Sequence, residues 1–255
     1  MPAFSKLLKD TGLECRAVYY SGGDLADPDK AEAAVSAMIE FGKRARDSLG
    51  TRFLVLHPAP PNKNTSADYQ RMASNLALVN QGLVDVVVRA DYHNHINTNL
   101  ESMGSNPCGG DLDEWLQASK PFEQLVGLFI DTGHFVGGVE KNAPGKGNDR
   151  LNQIVEWLVR SGRMRYGHLK GWSSESYQDW ARKGGKRAMG MVELDGHANE
   201  VDFGRYVRTL RGSVPPGKEL SLTAELDTVE ISPEDTEKRN ITFMKNLGLI
   251  TKSLD

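Results

Sequence analysis

The sequence predicts an α/β protein organised around a parallel sheet. Three observations predict it. Six short β-rich runs alternate with longer helical stretches. The run Leu125 to Asp131 is almost wholly apolar, as a strand buried on both faces must be. Six β-then-α units in a row imply right-handed crossovers between parallel strands. A doubly wound sheet and a barrel both satisfy this order. No Gly-x-Gly-x-x-Gly turn follows the first run and no Walker-type Gly-Lys-Ser/Thr occurs, which argues against a dinucleotide or P-loop site.

Leu13 to Tyr20 reads as the first strand and stops at Ser21-Gly22-Gly23. Asp27-Pro28 opens a helix in which Val35, Met38 and Ile39 share a face. Arg52 to His57 is the second strand, stopped by Pro58, Pro60 and Pro61. Ser66 to Leu83 is helical, and Val86 to His93 is the third strand. A short helix around Asp111 to Ser119 precedes the fourth strand, Leu125 to Asp131. In the helix from Asn148 to Val159, Leu151, Ile154, Val155, Leu158 and Val159 form one apolar stripe. Met164 to Leu169 is the fifth strand, and a long loop from Trp172 to Asn199 leads to a helix at Asp202 to Arg211. Leu220 to Leu226 is the sixth strand, and Ser232-Pro233-Glu234 caps a last helix carrying Ile241, Met244 and Leu247.

Composition narrows the class. The chain has 255 residues, 39% hydrophobic and 25% charged, enough to bury a core without disulfides or a structural metal. It reads as one domain, 1–255, with no fixed-period repeat and no Pro/Ser-rich linker. No run of 18 apolar residues marks a membrane span and Met1 to Leu13 does not read as a secretory signal. Two cysteines, Cys15 and Cys108, without metal-type spacing suit a reducing compartment, so a cytoplasmic location is expected. A net charge of -3 disfavours nucleic acid as a partner.

Polar residues gather where the strands end. The second strand ends in His57, the third in Tyr92-His93-Asn94-His95 and the fourth in Asp131-Thr132-Gly133-His134. The fifth ends in His168-Leu169-Lys170 and the sixth in Glu225-Leu226-Asp227. In parallel α/β folds these ends share one face, which carries the active site. Five of the six histidines lie there, His197 being the exception. Gaps of 38, 37 and 57 residues separate His93, Asp131, His168 and Glu225, each about one β/α unit, the last lengthened by the long loop. Two imidazoles and two carboxylates from neighbouring strands make a borderline-hard site that suits Mn²⁺, Co²⁺, Zn²⁺ or Fe²⁺. The plainer reading of Asp131-Thr132-Gly133 is a helix cap or turn. Strand parity puts Arg89 and Asp91 on the face of His93, so either that face is polar or the strand bends.

The runs Tyr92 to His95, Leu128 to His134, His168 to Lys170 and Ala224 to Asp227 resemble the xylose-isomerase-like TIM-barrel superfamily. That group includes sugar phosphate isomerases and epimerases, inosose dehydratases and relatives of type IV AP endonucleases. The order and spacing match over most of the chain. The resemblance implies TIM-barrel-like parallel β/α units, six of the usual eight. The run at Leu13 stands where the family has its third strand, and Phe4 to Asp10 is the tail of the helix before it. The N-terminus is thus expected to be truncated, leaving an open edge along Glu14 to Tyr20 for a partner chain or a rearrangement to cover.

The resemblance also implies a divalent metal, Mn²⁺, Co²⁺, Zn²⁺ or Mg²⁺, held by Glu, Asp, His and Glu at the last four strand ends. Asp131, His168 and Glu225 match the last three. His93 stands where many members have Glu, and Thr98 where others carry one five residues on. This Tyr-His-x-His-x-x-Thr form is most like the inosose dehydratase branch, and it leaves His93, His95 or water as first ligand. The family reaction takes a proton from a carbon beside a carbonyl, with the metal stabilising the enediolate. Reprotonation then isomerises or epimerises a small carbohydrate, whereas loss of a β-hydroxyl dehydrates an inosose or 3-keto-sugar. Glu225 would combine metal binding with proton transfer, His134 and His95 would handle protons on substrate oxygens, and His57 and Lys170 would orient hydroxyls.

Other readings stay open. Trp172 and Trp180 could stack on a sugar ring or simply pin their loop. Arg182, Lys183, Lys186 and Arg187 make that loop either a lid or a solvated surface. The segment from Gly137-Gly138 to Gly147 is expected to be a mobile rim. A phosphodiesterase of the AP endonuclease type would need more metal ligands and a basic surface. A degenerate sugar-binding barrel is the non-catalytic alternative. No nucleic-acid or membrane partner is expected, and the family suggests a homodimer.

Overall fold

The strands begin one to four residues further along the chain than the runs that foretell them. In the computed structural model, residues 2–57, 65–94, 112–175, 178, 199–225 and 232–249 are described. They carry six strands, and every strand pair is parallel. The fold is TIM-barrel-like. The sequence reading as one domain is accompanied by a division into two compact units, residues 1–129 and 130–255. Strand β4, Gly127–Asp131, runs from the first into the second.

The first unit begins with α1 (Pro2–Thr11), β1 (Ala17–Ser21), α2 (Ala31–Leu49), β2 (Phe53–His57) and α3 (Ser66–Leu83). A 3₁₀ turn, Val84–Val86, then leads to β3 (Arg89–His93), and α4 (Leu112–Ser119) precedes β4. Ala17 pairs opposite Phe53, Phe53 opposite Arg89 and Asp91 opposite Gly127, so hydrophobic strand centres such as Leu54-Val55-Leu56 align and bury together. Helix α2 begins three residues after the Asp27-Pro28 signal, since Asp27 holds a turn by accepting from the Lys30 and Ala31 amides. Its buried face is mostly small: Ala31, Ala34, Met38, Gly42 and Ala45. A Cβ at Gly42 would stand 2.7 Å from Leu83 Cδ2, so the glycine is what lets α3 approach. Thr65 caps α3 in a reciprocal box with Asp68.

Two details fix β3. The Asn80 carboxamide donates to Ala90 O at 2.7 Å and accepts from Ala90 N at 2.8 Å. Pairing with β4 starts one residue later, at Asp91, so this side chain replaces the missing strand partner of a buried peptide. The parity question also has an answer: Arg89 Nε donates to Asp91 Oδ1 at 2.7 Å, and a buried ion pair occupies the face that His93 shares. The strand is regular and the face is polar.

The second unit holds the end of β4, α5 (Thr132–Asn142), α6 (Gly147–Arg160), β5 (Tyr166–Leu169), α7 (Phe203–Ser213), β6 (Ser221–Ala224) and α8 (Pro233–Asn246). Asp131 pairs opposite His168, and His168 opposite Thr223. The α6 stripe of Leu151, Ile154, Val155, Leu158 and Val159 is buried throughout, as its periodicity requires. The expected rim at Gly137-Gly138 is instead part of α5. Asp131 caps that helix, and a Cβ at Gly137 would collide with the Trp172 ring. Gly137 therefore serves the packing of α5 on Trp172. The long loop is closed at its base, where Glu200 N donates to Trp172 O at 2.7 Å and Trp172 N donates to Asn199 Oδ1 at 3.1 Å. The loop residues Trp180, Arg182, Lys183, Lys186 and Arg187 lie outside the described residues, as do His95 and Thr98. Among the described residues no helix is long and apolar enough to cross a membrane.

Val87 departs from expectation. The sequence assigns it to the third strand, but it has φ 55° and ψ 40° and its side chain is 74% exposed. Left-handed backbone costs an L-residue about 1–2 kcal/mol, and β-branching makes it worse. Asn tolerates this conformation, and the 3.1 Å bond from Val87 N to Val84 O is kept. Val87→Asn is expected to stabilise the protein by about 1 kcal/mol, raising the thermal midpoint by roughly 2–4 °C. A lowered midpoint in calorimetry would contradict the strain argument.

Candidate metal centre

The centre is built where β4 stops. Asp131 is its last residue and the N-cap of α5, and the carboxylate divides its work between these positions. Oδ1 accepts from His134 N at 2.9 Å, opening the helix. Oδ2 lies 3.6 Å from His168 Nδ1 and 3.4 Å from Lys170 Nζ. The helix-cap reading and the ligand reading of Asp131 are thus both accommodated, one oxygen each.

Glu225 follows β6 directly and bonds His168 Nδ1 through Oε2, which is also 3.4 Å from Lys170 Nζ. Lys170 donates to His134 Nε2 at 3.3 Å. Lys170, Asp131 and His134 are essentially inaccessible, while Glu225 keeps 30% of its side chain exposed. Burial alone would lower the His168 imidazole, but its bonds to Asp131 and Glu225 outweigh burial and raise it above the usual value. Two carboxylates thus face one lysine and one imidazole whose protonated form they favour.

Asp131, His168 and Glu225 each offer a ligand atom, and these lie within 4.8 Å of one another. Atoms bound at about 2.1 Å from a common ion stand roughly 3–4 Å apart, so modest side-chain adjustment would close the set around a metal. The donor chemistry, imidazole with carboxylates, fits Mn²⁺, Co²⁺ or Zn²⁺.

Close packing supports this geometry. A Cβ at Gly133 would strike Gly171 O and come 2.9 Å from Lys170 Cγ, so only glycine lets α5 start against the end of β5. Trp172 is buried, its ring against Gly137; it sits in the packing of α5 rather than on an open surface. Tyr206, on α7, was not anticipated. Its phenol is fully buried, and burial together with the Asp131 charge pushes its pKa up.

His57 and His93 belong to the first unit. His93 closes β3 and is buried, its ring centroid 5.5 Å from Tyr19, 6.1 Å from His57 and 5.5 Å from Phe129. Burial, with a smaller part from His93, lowers the His57 pKa to about 4, so its ring is neutral at pH 7. Tyr19 carried no sequence signal for this position, apart from its place on the same pleat parity as Ser21.

Gly133→Ala is expected to destabilise the protein by roughly 1–3 kcal/mol, the range for overpacking a filled site. Chemical denaturation measures it, and an unchanged midpoint would mean that α5 can shift without cost.

Among solved structures the chain is similar to three proteins that illustrate its range. One is the IolI protein with a bound zinc atom: 12% identity, TM-score 0.63, covering 98% of this chain and 84% of that one. Another is the probable 3-DHS dehydratase AsbF of Bacillus anthracis: 14% identity, TM-score 0.64, covering 96% and 81%. The third is a D-tagatose 3-epimerase-like protein: 15% identity, TM-score 0.63, covering 97% and 82%. At these identities the likeness speaks for the fold. No curated protein matches the chain. The family model described as xylose isomerase-like TIM barrel matches residues 1–247, across both units, and the chain belongs to that family.

Proposed function

We propose that the protein is a divalent-metal-dependent sugar isomerase or epimerase that takes a proton from the carbon beside a carbonyl. The observation that carries this is the meeting of Asp131, His168 and Glu225 beside the buried Lys170. Likeness to a zinc-containing protein and an epimerase-like protein supports it. His93 joins as fourth ligand in this reading, from its position at the end of the strand before that of Asp131. Bound there, a divalent ion would polarise a substrate carbonyl and lower the cost of negative charge on its oxygen.

The chain's own residues supply the rest. Glu225 is the accessible carboxylate of the set and serves as the base. Lys170 and His134, already sharing a hydrogen bond, hold a proton near the substrate oxygens. His57, neutral at pH 7, orients a hydroxyl as a hydrogen-bonding ring rather than as a cation. His95 has the same role of handling a proton on a substrate oxygen, and Trp172 supports the site through its packing on α5. Likeness to a probable dehydratase favours a second reading, in which the same proton abstraction is followed by loss of a β-hydroxyl.

Metal binding should depend on pH through His168. Its raised value means the protonated ring stabilises the metal-free fold fully below the unfolded pKa. That contribution is lost as pH rises through the folded pKa. A metal needs the neutral ring and must displace the proton, so the gain in thermal midpoint on adding Mn²⁺ should be larger at pH 8 than at pH 6. Asp131→Ala should abolish the gain, and elemental analysis of the purified variant should find no retained ion. An equal gain at both pH values, or full metal content in the variant, would remove these ligands from the reading.

Turnover distinguishes the two reactions. Incubation with ketohexoses in heavy water should place deuterium on the carbon beside the carbonyl, while an inosose should yield an absorbing enone only if the protein is a lyase. Glu225→Gln should lower kcat by about 10²–10⁴ in either case. Absence of both exchange and enone with the metal-loaded protein would leave the non-catalytic sugar-binding barrel.

A further inference from the structure

We propose that Thr132 is a positioning residue: its hydroxyl continues the β4–β5 ladder past the point where the backbone leaves it, and so fixes His168 and Lys170 against the Asp131 and Glu225 carboxylates. The backbone ladder ends at Asp131 opposite His168. Thr132 already belongs to α5, so its own peptide cannot pair with the chain running on from β5. Lys170, two residues beyond His168, is buried to 1% exposure, and its peptide groups need partners without water.

The Thr132 side chain provides both. Its Oγ1 accepts from Lys170 N at 2.9 Å and donates to Lys170 O at 2.7 Å, with His168 O as a longer alternative at 3.3 Å. One hydroxyl thus stands in for a strand partner at the residue whose ammonium lies 3.4 Å from both carboxylates. Gly133 closes the same junction from the other side by allowing contact with Gly171 O. Removing the hydroxyl while keeping the side chain's shape would strand a buried N–H and C=O and free the Lys170 segment to shift.

The consequence for metal affinity rests on the proposed metal reading; the ladder itself does not. Thr132→Val and Thr132→Ser separate hydroxyl from methyl. Two measurements on the full chain are used: Mn²⁺ titration followed by electron paramagnetic resonance, and amide hydrogen exchange of the metal-free protein. The Lys170 amide should be protected in the wild type and in Thr132→Ser, and should exchange at least about 10-fold faster in Thr132→Val. The Mn²⁺ Kd should rise about 10–100-fold in Thr132→Val and stay within about 3-fold in Thr132→Ser, with the thermal midpoint of the serine variant near wild type.

Unchanged protection and affinity in Thr132→Val would overturn the proposal, as would equal losses in both variants, which would assign the role to the methyl group. If Thr132→Val does not fold, a Lys170 amide that is protected in the wild type and the serine variant supports the ladder, and one that exchanges like an open loop refutes it. A wild type that binds no Mn²⁺ would sink the metal reading alone; exchange at Lys170 would still decide for or against Thr132.

Discussion

The second unit depends on how one buried carboxylate is shared. Asp131 ends a strand, starts a helix and faces both His168 and Lys170. Oδ1 is committed to the His134 amide, which leaves Oδ2 to meet His168 and Lys170. A carboxylate with no accessible surface is costly unless hydrogen-bonded and paired. Here the helix N-terminus, a lysine and an imidazole all act on the same group. Substitution by a neutral residue would disturb the start of α5, the register of the β5 end and the charge balance together.

The charge balance has a further meaning. Lys170 is buried beside two carboxylates and a histidine, a position that needs such partners for a basic side chain. Its Nζ lies 3.4 Å from an oxygen of each carboxylate and so holds the two acidic groups close. The protein can therefore fold with its acidic groups already gathered, so the electrostatic cost of gathering them is met during folding instead of on binding.

Much of this was legible in the sequence because strand ends are marked by polarity. Apolar runs that stop at His57, His93, Asp131, His168 and Glu225 announce the sheet and the strand ends where the candidate site lies. The six strands follow from β-rich runs bounded by turn residues, and the α6 stripe from its period. Features that depend on distant partners were not legible. Gly137 looks like a loop residue until Trp172 is seen against it. Arg89 and Asp91 look misplaced until they pair. Val87 reads as strand by type, yet the 3₁₀ turn before it forces a left-handed residue at that point. Nothing in the sequence marks the peptides that Asn80 and Thr132 pair with, ten and 38 residues further along the chain.

Those two residues show a common device. Parallel strands of unequal length leave peptide groups without neighbours where one strand starts late or stops early, and such groups cannot stay bare in a core. Asn80 supplies both a donor and an acceptor at the N-terminal side of β3, and Thr132 does the same at the C-terminal side of β5. The two ends have different consequences. At the N-terminal ends a side-chain substitute only secures the strand, because that face of a β/α fold carries stability. At the C-terminal ends it also sets where reactive groups point, so the same hydrogen bonds that repair the sheet determine the aim of Lys170. Staggered strand ends thus leave room for a helix N-terminus, carboxylates and a lysine to converge, and the polar substitutes that make the stagger tolerable hold those groups in place.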